Sequence, residues 1–183
     1  MARSAAVLSQ GPVCGEAVLI FLTVGNWHRG FDRLVKAVDE LRDREVIAED
    51  VVAQTGPGQY KPTRLQSMEF CSPVEFEEIM GRARLVITHA GVGTVAQAIT
   101  RGKPVVVVPR KAELGEIGDN HQWTTAKLLE DEGKILVAYE VADLPERLEQ
   151  AEHFVPAQEE GGQHIVSLVE SFVAGIADAK SRR

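Results

Sequence analysis

The apolar positions along the chain fall into two alternating periods. Ala17–Val24 (AVLIFLTV) is apolar throughout, rich in branched side chains and ended by Gly25, the pattern of a strand buried on both faces. From Phe31 to Arg44 the period changes: Phe31, Leu34, Val35, Val38 and Leu41 recur at helical spacing with charges between them. Val46–Thr55 reads as a second strand, stopped by Gly56-Pro57-Gly58, and Met68–Phe70 as a short third. Ser72-Pro73-Val74-Glu75 has the Ser-x-x-Glu spacing of a capping box with proline at the first helical position, which predicts a helix from there to about Arg82. Leu85–Thr88 is a strand, Thr94–Arg101 a helix closed by Gly102 with Pro104 beyond it, and Val105–Val108 a strand made only of valine. Asn120–Glu132 is a helix ended by Gly133, Ile135–Val137 a strand, and Asp143 an N-cap for a helix with Pro145 in its first turn. A last helix, Gln163 to about Ala177, carries Ile165, Val166, Leu168, Val169, Phe172, Val173 and Ile176 on one side, more than half its circumference, which suits packing on the chain's own sheet or partly on a second surface.

Strands alternate with helices, and the best strands lack polar alternation. The predicted fold is therefore α/β: one Rossmann-like domain over 1–183, a parallel sheet with helices on both faces. Residues 1–15 and 180–183 are expected to be loosely attached, and Gly161-Gly162 to act as a joint before the last helix.

Composition narrows the classes. At 44% hydrophobic and 26% charged residues, the 183-residue chain falls in the ordinary globular range, which excludes disorder and fibrous repeats. No apolar run approaches the roughly 20 residues of a membrane helix, and Ala17–Val24 behind Arg3 lacks a cleavage site, so export is not expected. Cys14 and Cys71 have no metal-ligand spacing, and a cytoplasmic location is the expectation. The net charge of −7 argues against a nucleic-acid partner. Seven acids and one arginine between Tyr139 and Glu160 account for −6 of it, as on a solvated helix face, so an anionic small ligand elsewhere remains compatible.

Ligands of such sheets bind beyond the carboxyl ends of the strands, and two loops there hold suitable residues. In Thr88-His89-Ala90-Gly91-Val92-Gly93-Thr94 a strand runs into a helix. Gly91 and Gly93 allow a ligand close to the backbone, the helix N-terminus favours a phosphate, and His89 and Thr94 add polar groups. The same pattern also suits a plain glycine turn. It is neither a Walker loop, since no Gly-Lys-Ser/Thr follows, nor the dinucleotide fingerprint, since the first strand is followed only by Gly25 and Gly30. In the second loop, Pro109 to Gln122, the run Asp119-Asn120-His121-Gln122 suits sugar hydroxyls or, alternatively, simple N-capping by Asp119 or Asn120.

Together, His-Ala-Gly-Val-Gly-Thr (89–94), Gly-Lys-Pro-Val-Val-Val-Val-Pro-Arg (102–110) and Gly-Asp-Asn-His-Gln (118–122) resemble the C-terminal half of family 28 glycosyltransferases, GT-B enzymes that use UDP-sugars. The similarity is strongest to the small stand-alone members: the catalytic subunit of the dolichol-linked N-acetylglucosamine transferase and its bacterial relatives in exopolysaccharide synthesis. Thr23-Val24-Gly25, Phe31-Asp32-Arg33-Leu34-Val35, Gln54-Thr55-Gly56 and Glu75-Phe76-Glu77-Glu78 fit in register, so the resemblance runs from about Ile20 to Leu148.

The resemblance implies that His89, Ala90, Gly91, Val92, Gly93 and Thr94 hold the diphosphate of a UDP-sugar. Gln97 stands where relatives often carry a ribose-binding glutamate. Asp119, Asn120, His121 and Gln122 would meet the donor sugar, and Gly25 and Asn26 would face the cleft. Trp27-His28-Arg29 departs from the usual form of its loop. An N-acetylglucosamine donor needs no cation; a glucuronate would want one, from Arg110 or Lys111. The implied reaction is an inverting displacement at the anomeric carbon, with the charge on departing UDP stabilised by the helix N-terminus. No metal or cofactor is implied, the UDP-sugar being a substrate. The general base is left unassigned, with Asp119 and His121 as candidates. A separate membrane-anchored subunit would supply the acceptor side, making membrane contact indirect. The alternatives are a nucleotide-sugar-binding module without transferase activity and, less compatible with a single domain of this length, an epimerase of related fold.

Overall fold

A computed structural model describes residues 19–157. The helix expected over 163–177 lies outside the described residues. The elements run β1 (Leu19–Thr23), α1 (Asp32–Asp43), β2 (Asp50–Gln54), β3 (Gln66–Met68), α2 (Pro73–Arg82), β4 (Ala83–Thr88), α3 (Val92–Thr100), β5 (Val105–Val107), α4 (His121–Asp131), β6 (Leu136–Val137) and α5 (Leu144–Ala151). All six strands are parallel, in the order β3-β2-β1-β4-β5-β6.

Alternation along the buried strands divides the core. Ile20, Leu22, Val24, Leu85, Ile87, Val106 and Val108 face α1 and α5, where Leu34, Val35, Val38, Leu144 and Leu148 meet them. Leu19, Phe21, Val86, Val105 and Val107 face α2, α3 and α4, against Met80, Val95, Ala98, Ile99 and Leu129. Continuously apolar strands are thus read as expected: each successive side chain has a helix layer to enter. Truncating one of these Leu or Ile side chains to Ala would cost about 2–5 kcal/mol.

The boundaries differ from expectation where local hydrogen bonding overrides apolar pattern. Val46–Glu49 is not strand: Glu45 takes a positive φ of 58°, and the Val46 and Ile47 amides both close back on the Leu41 carbonyl at the end of α1. The third strand lies two residues early, at Gln66–Met68 rather than Met68–Phe70. Helix α3 begins at Val92 instead of Thr94, which places Gly93 inside its first turn. The Ser72–Glu75 capping box forms as read, the Glu75 amide donating to Ser72 Oγ and the Ser72 amide to the Glu75 carboxylate, which lowers the Glu75 pKa. Asp143 does not cap α5; its carboxylate accepts the Glu140 amide of the preceding turn instead.

Strand order matters most for function. The chain builds outward from β1 through β2 to β3, then returns to the other side of β1 with β4, β5 and β6. The loops after β1 and β4 therefore leave adjacent strands in opposite directions and open a crevice between them.

Candidate functional site

The floor of that crevice is polar although buried. Thr23, Gln54 and Thr88 end three neighbouring strands in register, Thr23 opposite both of the others, and each is at most 2% exposed. Thr88 Oγ1 donates to the Thr23 carbonyl (2.8 Å) and Thr23 Oγ1 to Gln54 Oε1 (3.0 Å). Gln54 Nε2 then donates to Asn26 Oδ1 (2.6 Å), so the exposed Asn26 side chain is oriented from the core.

His89 leaves β4 directly above this layer. Its ring occupies the space that side chains on two glycines would need: a Cβ on Gly25 would stand 2.6 Å from its Cε1 and one on Gly91 2.3 Å from its Nε2. Gly25 also has a positive φ of 75°. Thr88 Oγ1 lies 3.3 Å from His89 Nδ1. Because that hydroxyl spends its one proton on the Thr23 carbonyl, Nδ1 must carry the proton in this contact and Nε2 the lone pair. Burial first, and then the nearby Arg110 charge, push the His89 pKa down to about 4, so the ring is neutral at pH 7. His121 adds a smaller push in the same direction.

Helix α3 starts beside this ring. Its N-cap is Gly91, which has no side chain to offer, so the first-turn amides of Val92, Gly93 and Thr94 lack a side-chain acceptor. Nothing lies within 4 Å of the position a Gly93 Cβ would take. Amides and the positive end of the helix dipole thus face the crevice together, the arrangement that binds phosphate. Ala90, by contrast, is buried in the core below, and only its backbone belongs to the loop. Gln97 lies further along α3, half-buried, its Oε1 without a partner among the described residues.

The second loop resolves differently from expectation. Arg110 is 1% exposed. Its Nη1 donates to the Gly30 (2.8 Å), Arg29 (3.3 Å) and Glu116 (3.3 Å) carbonyls, its Nη2 to Val24 (3.0 Å), and its guanidinium carbon lies 4.6 Å from the Phe31 ring centre. Lys111 pairs with the Glu140 carboxylate. Neither cation is presented to the crevice, because both are already engaged by oxygens of the chain itself. Gln122 also turns inward: it is 5% exposed and its Oε1 accepts the Arg110 amide (3.1 Å). Asn120 Oδ1 accepts the Ala112 amide (3.3 Å), bracing the loop, while Asp119 takes the His121 amide (3.0 Å) and pairs with the His121 ring at Nδ1. Of the four, Asp119 and Asn120 are exposed and His121 half-buried, and only Gln122 is withdrawn into the chain.

Residues to which sequence reasoning gave no role complete the frame. Arg33 on α1 grips the Glu116 carboxylate with two bonds of 2.9 Å and donates to the Pro109 carbonyl (3.0 Å), and Arg29 donates to the Gly115 carbonyl (2.8 Å). Both signals lay in the sequence as ordinary charged positions; only their meeting across the sheet gives them meaning. Among the described residues no group of three or more His, Cys, Asp or Glu could hold a metal ion, and no helix is long and apolar enough to cross a membrane.

Comparison with known proteins agrees with this geometry. The chain is 32% identical over 125 residues to the human UDP-N-acetylglucosamine transferase subunit ALG13, covering 63% of this chain and 10% of that protein. It is 36% identical over 118 residues to the UDP-N-acetylglucosamine--N-acetylmuramyl-(pentapeptide) pyrophosphoryl-undecaprenol N-acetylglucosamine transferase of Deinococcus radiodurans, covering 62% of this chain and 28% of that one. The chain thus spans well under half the length of these curated relatives. The solution structure of ALG13 superimposes with a TM-score of 0.56 at 18% identity, over 84% of this chain and 94% of that one, a likeness of fold. The glycosyltransferase family 28 C-terminal domain matches residues 19–157, the whole of the sheet and its loops, and the chain belongs to that family.

Proposed function

We propose that this chain is the donor-binding part of an inverting UDP-sugar-dependent glycosyltransferase, active with an acceptor-binding subunit anchored in a membrane. The observation that carries the reading is the junction between Gly25 and the start of α3: the His89 ring fills the space beside Gly25 and Gly91, the amides of Val92, Gly93 and Thr94 have no side-chain cap, and nothing stands within 4 Å of where a Gly93 Cβ would be. The relatives' activities, both N-acetylglucosamine transfers, supply the substrate class.

In this reading the diphosphate lies on the α3 N-terminus, with His89 Nε2 and Thr94 Oγ1 beside it. As the bond from the anomeric carbon to the UDP oxygen lengthens, negative charge grows on the diphosphate, where fixed N–H dipoles stabilise it without reorganising. Neutral His89 offers Nε2 as a lone pair, so an approaching phosphate binds best once that nitrogen takes up a proton, which the phosphate's own charge favours. The donor sugar is a neutral one such as N-acetylglucosamine: the two cations that would pair with a carboxylate, Arg110 and Lys111, are bound within the chain. Asp119, held against His121 Nδ1, would take the ring proton at that nitrogen and leave Nε2 as the basic one, the tautomer a proton acceptor needs. The acceptor, lipid-linked or a polysaccharide precursor, would reach the anomeric carbon from the partner's side, at the cytoplasmic face of the membrane.

Calorimetric titration of the purified chain with UDP, repeated on His89→Ala and Thr94→Ala, tests the reading. Saturable binding that either substitution weakens is expected. Absence of binding at millimolar UDP, by the chain alone and by its complex with the partner, would refute it. UDP binding without sugar transfer in that complex would favour the alternative of a binding module without activity.

A further inference from the structure

Arg110 is the largest side chain in the fully buried set, and the reaction just described does not use it. A guanidinium withdrawn from water costs several kcal/mol unless its charge is answered. Here its hydrogen bonds go only to dipoles. The carbonyls of Val24, Arg29, Gly30 and Glu116 accept its hydrogen bonds, the Phe31 ring covers one face, and its Nε has no partner among the described residues. The nearest carboxylate, Glu116, is taken by two bonds from Arg33 and one from the Lys111 amide. Two guanidinium groups thus share one carboxylate, which leaves one positive charge beneath the crevice. Burial lowers the Arg110 pKa to about 10, against the pull of Glu116, so it stays charged at neutral pH.

Its position is informative. Three of the four carbonyls belong to the β1–α1 loop, the fourth to the β5–α4 loop on which Arg110 itself sits. Val24 directly precedes Gly25, whose missing side chain makes room for His89. We propose that Arg110 is a positioning residue for the donor diphosphate: it clamps the loop after β1 to the loop after β5 and holds an unneutralised positive charge behind His89, attracting the diphosphate without touching it. Through that clamp, the wall formed by Gly25 and Asn26 and the Asp119–His121 wall keep one spacing. The groups of other elements that face His89 electrostatically are Arg110 and His121, with Arg33 and Glu116 acting on Arg110 itself.

This inference rests on the donor-site reading above, and the test separates the two. Binding of UDP and of uridine is measured for the wild type, Arg110→Gln and Arg110→Lys, together with the His89 titration followed by nitrogen-15 NMR. The ratio of UDP to uridine affinity reports the diphosphate alone. Arg110→Gln is expected to lower that ratio about tenfold, the scale of one partly screened charge, and to raise the His89 titration midpoint. Arg110→Lys keeps the charge but loses the four-way grip, so it should keep the ratio within about threefold and the His89 midpoint low, while unfolding at a lower temperature. If Arg110→Gln unfolds the chain, Arg110→Lys decides: a ratio that falls about tenfold despite the retained charge overturns the proposal. An unchanged ratio and His89 midpoint in folded Arg110→Gln would reduce Arg110 to a structural brace. Wild-type chain that binds UDP no better than uridine would instead overturn the donor-site reading, and this proposal with it.

Discussion

The His89 ring stands where a Gly25 side chain would be: a Cβ there would lie 2.6 Å from ring Cε1. The two residues come from neighbouring strands whose loops diverge at the reversal of strand order, so this contact lies at the point where open α/β sheets offer a crevice for a ligand. Replacing Gly25 by Ala imposes two costs, a left-handed backbone worth about 1–2 kcal/mol and displacement of the ring. The expected outcome is a fall in unfolding free energy of roughly that size, together with about tenfold weaker UDP binding. Calorimetry on a variant shown to be folded by circular dichroism checks both; undiminished affinity would mean that His89 is not held in place by Gly25.

Gly93 gives the opposite case. It lies in the first turn of α3 with open space where its Cβ would be, so nothing in the fold requires glycine there. Gly93→Ala should stabilise the chain by about 0.5–1 kcal/mol, since glycine is a poor helix residue. If a diphosphate approaches the amide at this turn, the same substitution weakens UDP binding. Thermal melts and titration on one sample would show stability and affinity moving in opposite directions.

The pH dependence of stability follows from His89. Its folded pKa of about 4 lies below the unfolded value near 6.5, so the unfolded chain takes up the proton first. The stability this group contributes is therefore present above pH 6.5 and lost as pH falls from there toward 4, by about 3 kcal/mol in all. His89→Gln should remove that component. Urea unfolding at pH 7 and pH 4.5 would give a smaller difference for the variant than for the wild type. Equal differences would show that the ring is not held neutral by its surroundings.

Gln54 connects the core to the cleft through Thr23 on one side and Asn26 on the other. Gln54→Leu leaves the buried Thr23 hydroxyl without its acceptor, a loss of about 1–3 kcal/mol. It also frees the Asn26 side chain. Reduced transfer or UDP binding beyond that seen with Asn26→Ala would show that Gln54 does more than orient its neighbour; the expectation is that the two variants bind alike and differ in stability.

The elements were legible in the sequence because the forces that define them act within a few residues. Apolar pattern marked β1, α1, β4 and β5, the Ser72–Glu75 box marked α2, and the glycines at 25, 102 and 133 marked several ends. Where expectation and structure part, the deciding bond was longer in reach or different in kind: the Leu41 carbonyl captured Val46 and Ile47, which apolar pattern alone assigned to a strand. The His89–Thr94 loop was visible as a strand running into a helix through two glycines because its chemistry is contiguous.

Arg110 and Gln122 were not legible in the same way. Each is a polar residue in a loop that composition assigns to the surface, and each is buried, by carbonyls from the β1–α1 loop in one case and by the Arg110 amide in the other. Sequence determined an α/β fold of parallel strands and which loops lie at their carboxyl ends. Only the tertiary structure decided which of those loops touch, that His89 needs Gly25, and that the arginine beside the site faces inward. Contacts between distant segments depend on strand order, and strand order is set by packing of the whole sheet rather than by any local pattern.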